Sequence, residues 1–209
     1  MRTLKRKPVP PLRPHPVGRR ERNKQVKLER IIAAARDLFD TYGVDAVTTQ
    51  QIADQADIGT GTLFLYAKSK SELLLMVQNS GYVAALEEGK AAAANTAEIF
   101  GAVMAIIRPV VECNRTHVEN GRTYLRELVF GDPEETHHRD ALTLTIKTEE
   151  AVAAVLRRDR RIKAGDAATL AQIVSAIMFI SMAVTINATH TVDEIVEEIA
   201  GRVRVLLPS

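Results

Sequence analysis

Residues 43–77 read GVDAVTTQQIADQADIGTGTLFLYAKSKSELLLMV, and their punctuation decides the fold. Thr48-Thr49-Gln50-Gln51 spells a capping box, in which the Thr48 hydroxyl accepts from the Gln51 amide and the Gln51 side chain reaches back. The helix it starts turns Ile52, Ala53 and Ala56 inward and lasts about two turns. Asp57-Ile58-Gly59 makes a tight turn, and Thr60 to about Tyr66 forms the next short helix. Ser69 then caps a longer helix, with Glu72 at its third position and Leu73, Leu74, Met76 and Val77 following. Two short helices joined by a three-residue turn ahead of a long one predict helix-turn-helix geometry. That geometry needs small residues where the pair crosses and a polar outer face on the second helix for the major groove. Ala53 and Ala56 supply the small contacts, Ile58 and Leu63 plug the core, and Thr60 and Thr62 point outward.

Upstream, a helix is expected to open near Arg22. Leu28, Ile31, Ile32, Ala35, Leu38, Phe39 and Tyr42 share one face of it, and Gly43 stands where a left-handed cap closes it. Before it, Pro8, Pro10, Pro11, Pro14 and Pro16 disfavour helix, so residues 1–21 read as a basic, proline-rich arm. The spacing Pro11-x-x-Pro14 also fits a proline-recognition domain, a match common by chance. Downstream, breaks at Asn95-Thr96, Gly131-Asp132-Pro133, Gly165-Asp166 and His190-Thr191 divide the chain into helices at roughly 96–112, 116–130, 133–160, 166–187 and 191–207. The expectation is an all-α chain of about nine helices. A helix-turn-helix domain spans residues 22–70, and a larger helical domain spans residues 71–209.

The 209 residues are 46% apolar and 26% charged, lack tryptophan and carry 4% aromatics, a balance that favours helices over sheets. The net charge of +2 hides a division: residues 1–30 carry eleven Lys or Arg against Glu21 and Glu29, while the rest of the chain is net acidic. One end therefore suits a polyanion, or else the basic tail is merely solubilising. No apolar leader opens the chain, and its single cysteine, Cys113, forms no internal disulfide; both suit the cytoplasm. The apolar run from Leu170 to Ile186 is broken by Gln172, Ser175, Ser181 and Thr185, is short for a membrane span, and reads as a buried helix.

The segments Gly43–Thr49, Ile52-Ala53-x-x-Ala56, Ile58–Tyr66 and Lys68-Ser69-Lys70-x-Glu72-Leu73-Leu74 together resemble the DNA-binding domain of the TetR family of transcriptional regulators over about residues 24–77. Phe64, where the family often has tyrosine, and Ala67, where an aromatic usually follows Tyr66, depart from the pattern. The resemblance implies that Thr49, Tyr66 and Lys70 hold phosphates, with Thr48, Lys68, Arg19 and Arg20 beside them. It also implies that Thr60, Gly61 and Thr62 face base edges, with Leu65 against a thymine methyl. Phosphate contacts set register, whereas base edges carry specificity. Gly59 and Gly61 leave that face sparse, and Thr60 and Thr62 also suit a capping or phosphate role.

The resemblance further implies a homodimer through the last two helices and a small-molecule effector in the body. Val192, Ile195, Val196, Ile199, Val203 and Leu206 form an apolar stripe. The preceding helix is apolar nearly all round, which demands cover on more than one side. An internal core in a monomer is the alternative. Phe100, Met104, Ile107, Tyr124, Leu128, Met178 and Met182 are candidates to line an effector pocket, with Phe130 beside them; each also fits plain core. Arg108 and Glu127 suit either a polar ligand or a salt bridge. Cys113 with His117, and Glu134 and Glu135 with His137 and His138, have helical spacing for metal, but a buried thiol and a solvated helix start explain them better. No phosphate loop, zinc framework or nucleophile motif appears, so neither a cofactor nor an enzyme is expected. The leading expectation is a repressor that a small-molecule effector releases from a double-stranded DNA operator; an architectural DNA-binding protein using the arm is the alternative, and an all-helical enzyme a more distant one.

Arginine-bearing arms enter minor grooves, so Arg2, Arg6, Arg13, Arg19 and Arg20 are expected to add affinity with little sequence preference. Deleting residues 1–20 should weaken DNA binding and flatten the dependence of log K on log salt. An unchanged slope excludes the arm from the interface.

Overall fold

The computed structural model describes residues 18–208, and among these there are helices and turns but no strand. The order is α1 (Arg19–Tyr42), α2 (Thr49–Gln55), α3 (Thr60–Leu63), α4 (Lys70–Ala94), α5 (Ile99–Arg115), α6 (Val118–Phe130), α7 (Thr136–Leu156), α8 (Ala164–Ala183) and α9 (Val192–Leu206), with a single 3₁₀ turn at Thr185–Asn187. Arg2, Arg6 and Arg13 lie outside the described residues. Arg19 and Arg20 form the first turn of α1, so the helix opens three residues before Arg22.

The capping boxes form as their sequences dictate. Thr48 accepts from the Gln51 amide at 3.2 Å, and Gln51 accepts from the Thr48 amide at 2.8 Å. Thr191 and Glu194 repeat the arrangement at α9. Several boundaries differ from the sequence reading, and α5 runs three residues later than 96–112 at both ends. The recognition helix α3 ends at Leu63 and continues to Tyr66 only as turns. The α7 helix is shorter at both ends than 133–160. The α8 helix stops at Ala183 because Val184 is extended, and Asn187 turns back to donate to the Ser181 carbonyl at 3.0 Å. At 20 residues, α8 is long and apolar enough to cross a membrane by composition alone, so length does not exclude a span. Instead, one face of it (Ala167, Ala171, Val174, Met178, Met182) is buried in the core of the body.

Two apolar cores result. The smaller joins Ile31, Ala35 and Phe39 of α1 to Ile52, Ala53, Ala56 and Leu63 of the helix-turn-helix, with Leu73, Leu74, Met76 and Val77 of α4. The larger joins Leu75, Tyr82, Leu86 and Ala93 of α4 to α5–α9. The α4 helix therefore serves both cores, and its first turns are buried all round. Along α5 the approach is close: a Cβ on Gly89 would stand 2.8 Å from the Ile106 Cα, so only glycine fits.

A polar clamp ties the two parts together. Gly43 ends α1 with φ +77°, a left-handed conformation that glycine adopts without strain. There the buried Asn120 of α6 accepts from the Val44 amide at 2.8 Å and donates to the Phe39 carbonyl at 2.8 Å. The Gly43 amide also donates to Phe39, so replacing Asn120 orphans chiefly the Val44 N–H. Asn120→Ala should cost roughly 2 kcal/mol and lower Tm by roughly 4–8 °C. Calorimetry that finds Tm unchanged contradicts the clamp.

Candidate nucleic-acid interface and effector cavity

The turn between α2 and α3 is held from outside. Asp57 has φ +52°, a left-handed conformation that aspartate tolerates better than most residues. Arg30 of α1 donates to its carbonyl at 3.0 Å and its carboxylate at 2.8 Å. The pair is too exposed for its charge to stabilise much; its consequence is geometric, since it fixes the turn against α1. Within the pair, Thr60 donates to Gln50 at 2.7 Å, and Gln50 donates to Asp54 at 2.7 Å. Inside, Ala53, Ala56 and Leu63 are fully buried and Ile58 packs beside them, as the sequence predicts.

The outer surface is sparse. Gly61 is exposed, Thr62 and Thr49 are half-buried, and Leu65 is 83% exposed. Phe64 is also largely exposed, whereas Ala67 is buried, so the second departure from the family pattern trims the core and the first alters the surface. Three further candidates are tied to the protein itself. The Tyr66 hydroxyl donates to the Lys24 carbonyl at 3.3 Å. Lys70 donates to the carbonyls of Val47 at 3.1 Å and Asp45 at 3.3 Å, one hydrogen short of its full donor capacity. The Thr48 hydroxyl is committed to its capping box. Lys68, Arg19 and Arg20 are exposed.

In the body, a cavity of about 60 Å³ lies between α4, α5, α6, α7 and α8. Tyr124, Leu128, Met178 and Met182 line it, together with Tyr82 and Ser175, which sequence reasoning missed. Phe100, Met104 and Ile107 do not. Phe100 lies under the Arg204 guanidinium at 4.2 Å, Ile107 is fully buried in the core, and Met104 packs against that core from outside the cavity. All three belong to α5, whose buried face is periodic, so apolar spacing alone did not separate wall from core. The rings of Tyr82 and Tyr124 pack with centres 4.6 Å apart, tilted by 32°. Burial raises both phenols well above their ordinary pKa, so both stay protonated donors. No ionised side chain lines the cavity.

Other candidates resolve as structure. Arg108 pairs with Asp193 at 2.7 Å and Glu112 at 3.5 Å, and Glu127 accepts from Ser71 at 3.1 Å. His117 caps α6, and burial pushes the Cys113 thiol up to about 11 against the opposing pull of Arg36. Phe130 is 83% exposed, away from the cavity. Among the described residues no three His, Cys, Asp or Glu side chains gather to hold a metal.

The α8 helix presents Ile173, Ala176, Ile177 and Ile180 on its outer face at three- and four-residue spacing, none of them buried. Beside it, Gly201 and Val205 of α9 are exposed.

Residues 31–77 match the family model of the N-terminal domain of bacterial regulatory proteins of the TetR family. No curated protein sequence matches the chain. Among solved structures, the chain is similar to the Thermus thermophilus FadR, a TetR-family transcriptional repressor in complex with lauroyl-CoA, at 22% identity and a TM-score of 0.68, covering 86% of this chain and 92% of that one. A TetR transcriptional regulator from Rhodococcus sp. RHA1 matches at 15% identity and a TM-score of 0.67, covering 88% and 97%. SCO4454 of Streptomyces coelicolor, also a TetR-family regulator, matches at 19% identity and a TM-score of 0.60, covering 88% and 91%. Residues 31–77 thus match the TetR-family DNA-binding domain, and over nearly its whole length the chain shares the fold of these TetR-family structures.

Proposed function

We propose that the protein is a cytoplasmic, homodimeric repressor that leaves its DNA operator when a small, largely apolar molecule enters the body. The observation that carries the DNA-binding half is the recognition surface itself. The Arg30–Asp57 bond and the core around Ala53, Ala56 and Leu63 hold it in place, and it leaves Leu65 and, less fully, Phe64 uncovered. In this reading Leu65 meets a thymine methyl and Thr60, Gly61 and Thr62 approach base edges. Lys68, Arg19 and Arg20 hold phosphates, as do Thr48, Thr49, Tyr66 and Lys70 through whatever donor capacity their internal bonds leave.

The α8 stripe supports dimerisation through α8 and α9: an apolar face at helical spacing that the chain's own core leaves uncovered is what a second copy would bury. A two-fold pair then presents two recognition helices to the two halves of an operator. For the effector, the FadR neighbour holds an acyl-CoA. Here a wall of Leu, Met, Phe and Tyr without ionised groups favours an apolar body with few hydrogen bonds. Pockets for drug-sized ligands measure roughly 300–1,000 Å³, so the 60 Å³ space must open to admit one.

Two variants test the reading. Thr62→Ala should level the relative affinities for operator variants by roughly tenfold at one base position; an unchanged preference removes Thr62 from base reading. Ile180→Arg should convert a sedimenting dimer to a monomer of unchanged helix content that no longer holds operator. A wild-type chain that sediments as a monomer at micromolar concentration overturns the dimer.

A further inference from the structure

A continuous set of buried and part-buried hydrogen bonds runs from the cavity wall to the segment that follows the recognition helix. The Tyr124 hydroxyl donates to the Asn79 side-chain oxygen at 2.8 Å. The Asn79 amide donates to the His137 carbonyl at 2.9 Å, at the start of α7. The His137 ring nitrogen Nε2 stands 3.2 Å from the Tyr66 carbonyl; since a carbonyl only accepts, Nε2 carries the proton. The same backbone turn makes a second attachment. The His137 amide donates to one oxygen of Glu72 at 3.4 Å, and the other oxygen of Glu72 accepts from the Lys68 amide at 2.7 Å. Tyr124, Asn79 and Glu72 are all buried.

Tyr66 and Lys68 lie directly after α3. The start of α7 therefore grips the exit of the recognition helix at two backbone points, through one histidine and one buried carboxylate. The smaller core fixes the recognition helix from inside; this contact fixes it from the body.

We propose that His137 is a positioning residue for the recognition helix, and that the Tyr124–Asn79–His137 chain carries the state of the cavity to it. This rests on the reading of the cavity as the effector site. A molecule larger than the 60 Å³ space must displace a wall, and Tyr124 is held there by its packing against Tyr82 and by one hydroxyl bond. Moving the ring breaks that bond and leaves the buried Asn79 oxygen without its donor. Such an orphan is unfavourable enough to make Asn79 reorient. Asn79 then releases the His137 carbonyl, and the grip on Tyr66 and Lys68 loosens. The coupling is a shift between two hydrogen-bonded arrangements, and DNA that favours the gripped arrangement closes the cavity by the same factor.

The test needs no identified effector, because a side chain can overfill the cavity. Ser175 lines it from α8, away from the chain of bonds. Ser175→Phe and Tyr124→Phe are made singly and together, and affinity is measured for a duplex that the wild-type protein has selected from random DNA. Ser175→Phe should weaken binding about tenfold in the wild-type background and by less than about twofold once Tyr124→Phe has cut the chain. Equal losses in both backgrounds overturn the coupling route while leaving the effector site standing. A folded Ser175→Phe protein that binds the duplex like wild type overturns the effector-site reading, and the route with it. If Ser175→Phe does not fold, amide exchange in Tyr124→Phe decides the matter. The Lys68 and His137 amides should exchange faster while those of α9 are unchanged; equal protection in wild type and variant overturns the proposal.

Discussion

The structure depends on one helix having to satisfy two cores at once. The α4 helix gives Leu73, Leu74, Met76 and Val77 to the DNA-binding core and Leu75, Tyr82, Leu86 and Ala93 to the body. Its first turns have no solvent face to spare, so they cannot rotate to improve one core without uncovering apolar surface in the other. Packing at native density resists such adjustment. The helix-turn-helix is thus not a bead on a linker. Its position is set by the body, and a change in the body around α4 must reach it.

Polar bonds sharpen what the apolar cores only approximate. Asn120 sets where α1 ends, Arg30 sets the turn between α2 and α3, and Glu72 with His137 sets where α3 gives way to α4. Each reaches the backbone of its target, and backbone groups cannot change partners by a rotamer flip. The surface we propose to read bases is small: Thr60, Gly61, Thr62 and Leu65. In that proposal, orientation of the helix and spacing between two copies carry much of the discrimination. That explains why so much of the polar chemistry is spent on placing α3 rather than on extending it.

The capping box at Thr48, the small crossing residues Ala53 and Ala56 and the cap at Ser69 were legible in the sequence because each works within a few residues. So was the run of helices through the body, from its periodicity and its breaks. The clamps were not. Arg30 and Asp57 are 27 residues apart, Asn79 and Tyr124 are 45, and nothing local marks them as partners. The cavity was half legible for a related reason: Tyr124, Leu128, Met178 and Met182 line it, but Phe100, Met104 and Ile107 show the same apolar spacing and face elsewhere. Periodicity says which side of a helix is covered, not whether the cover leaves a gap. Tyr66 and Lys70 were read as phosphate ligands, and the structure adds that their donors also brace α1 and the loop before α2.

If α4 holds each recognition helix to its body and two bodies pair through α8 and α9, the DNA footprint must carry the symmetry of the pair. Hydroxyl-radical footprinting of the full chain on its selected duplex measures this directly. The account predicts two equivalent protected patches on one face of the duplex, centred a whole number of helical turns of about 10–10.5 base pairs apart, with two chains bound. A single asymmetric patch formed by one chain would contradict it.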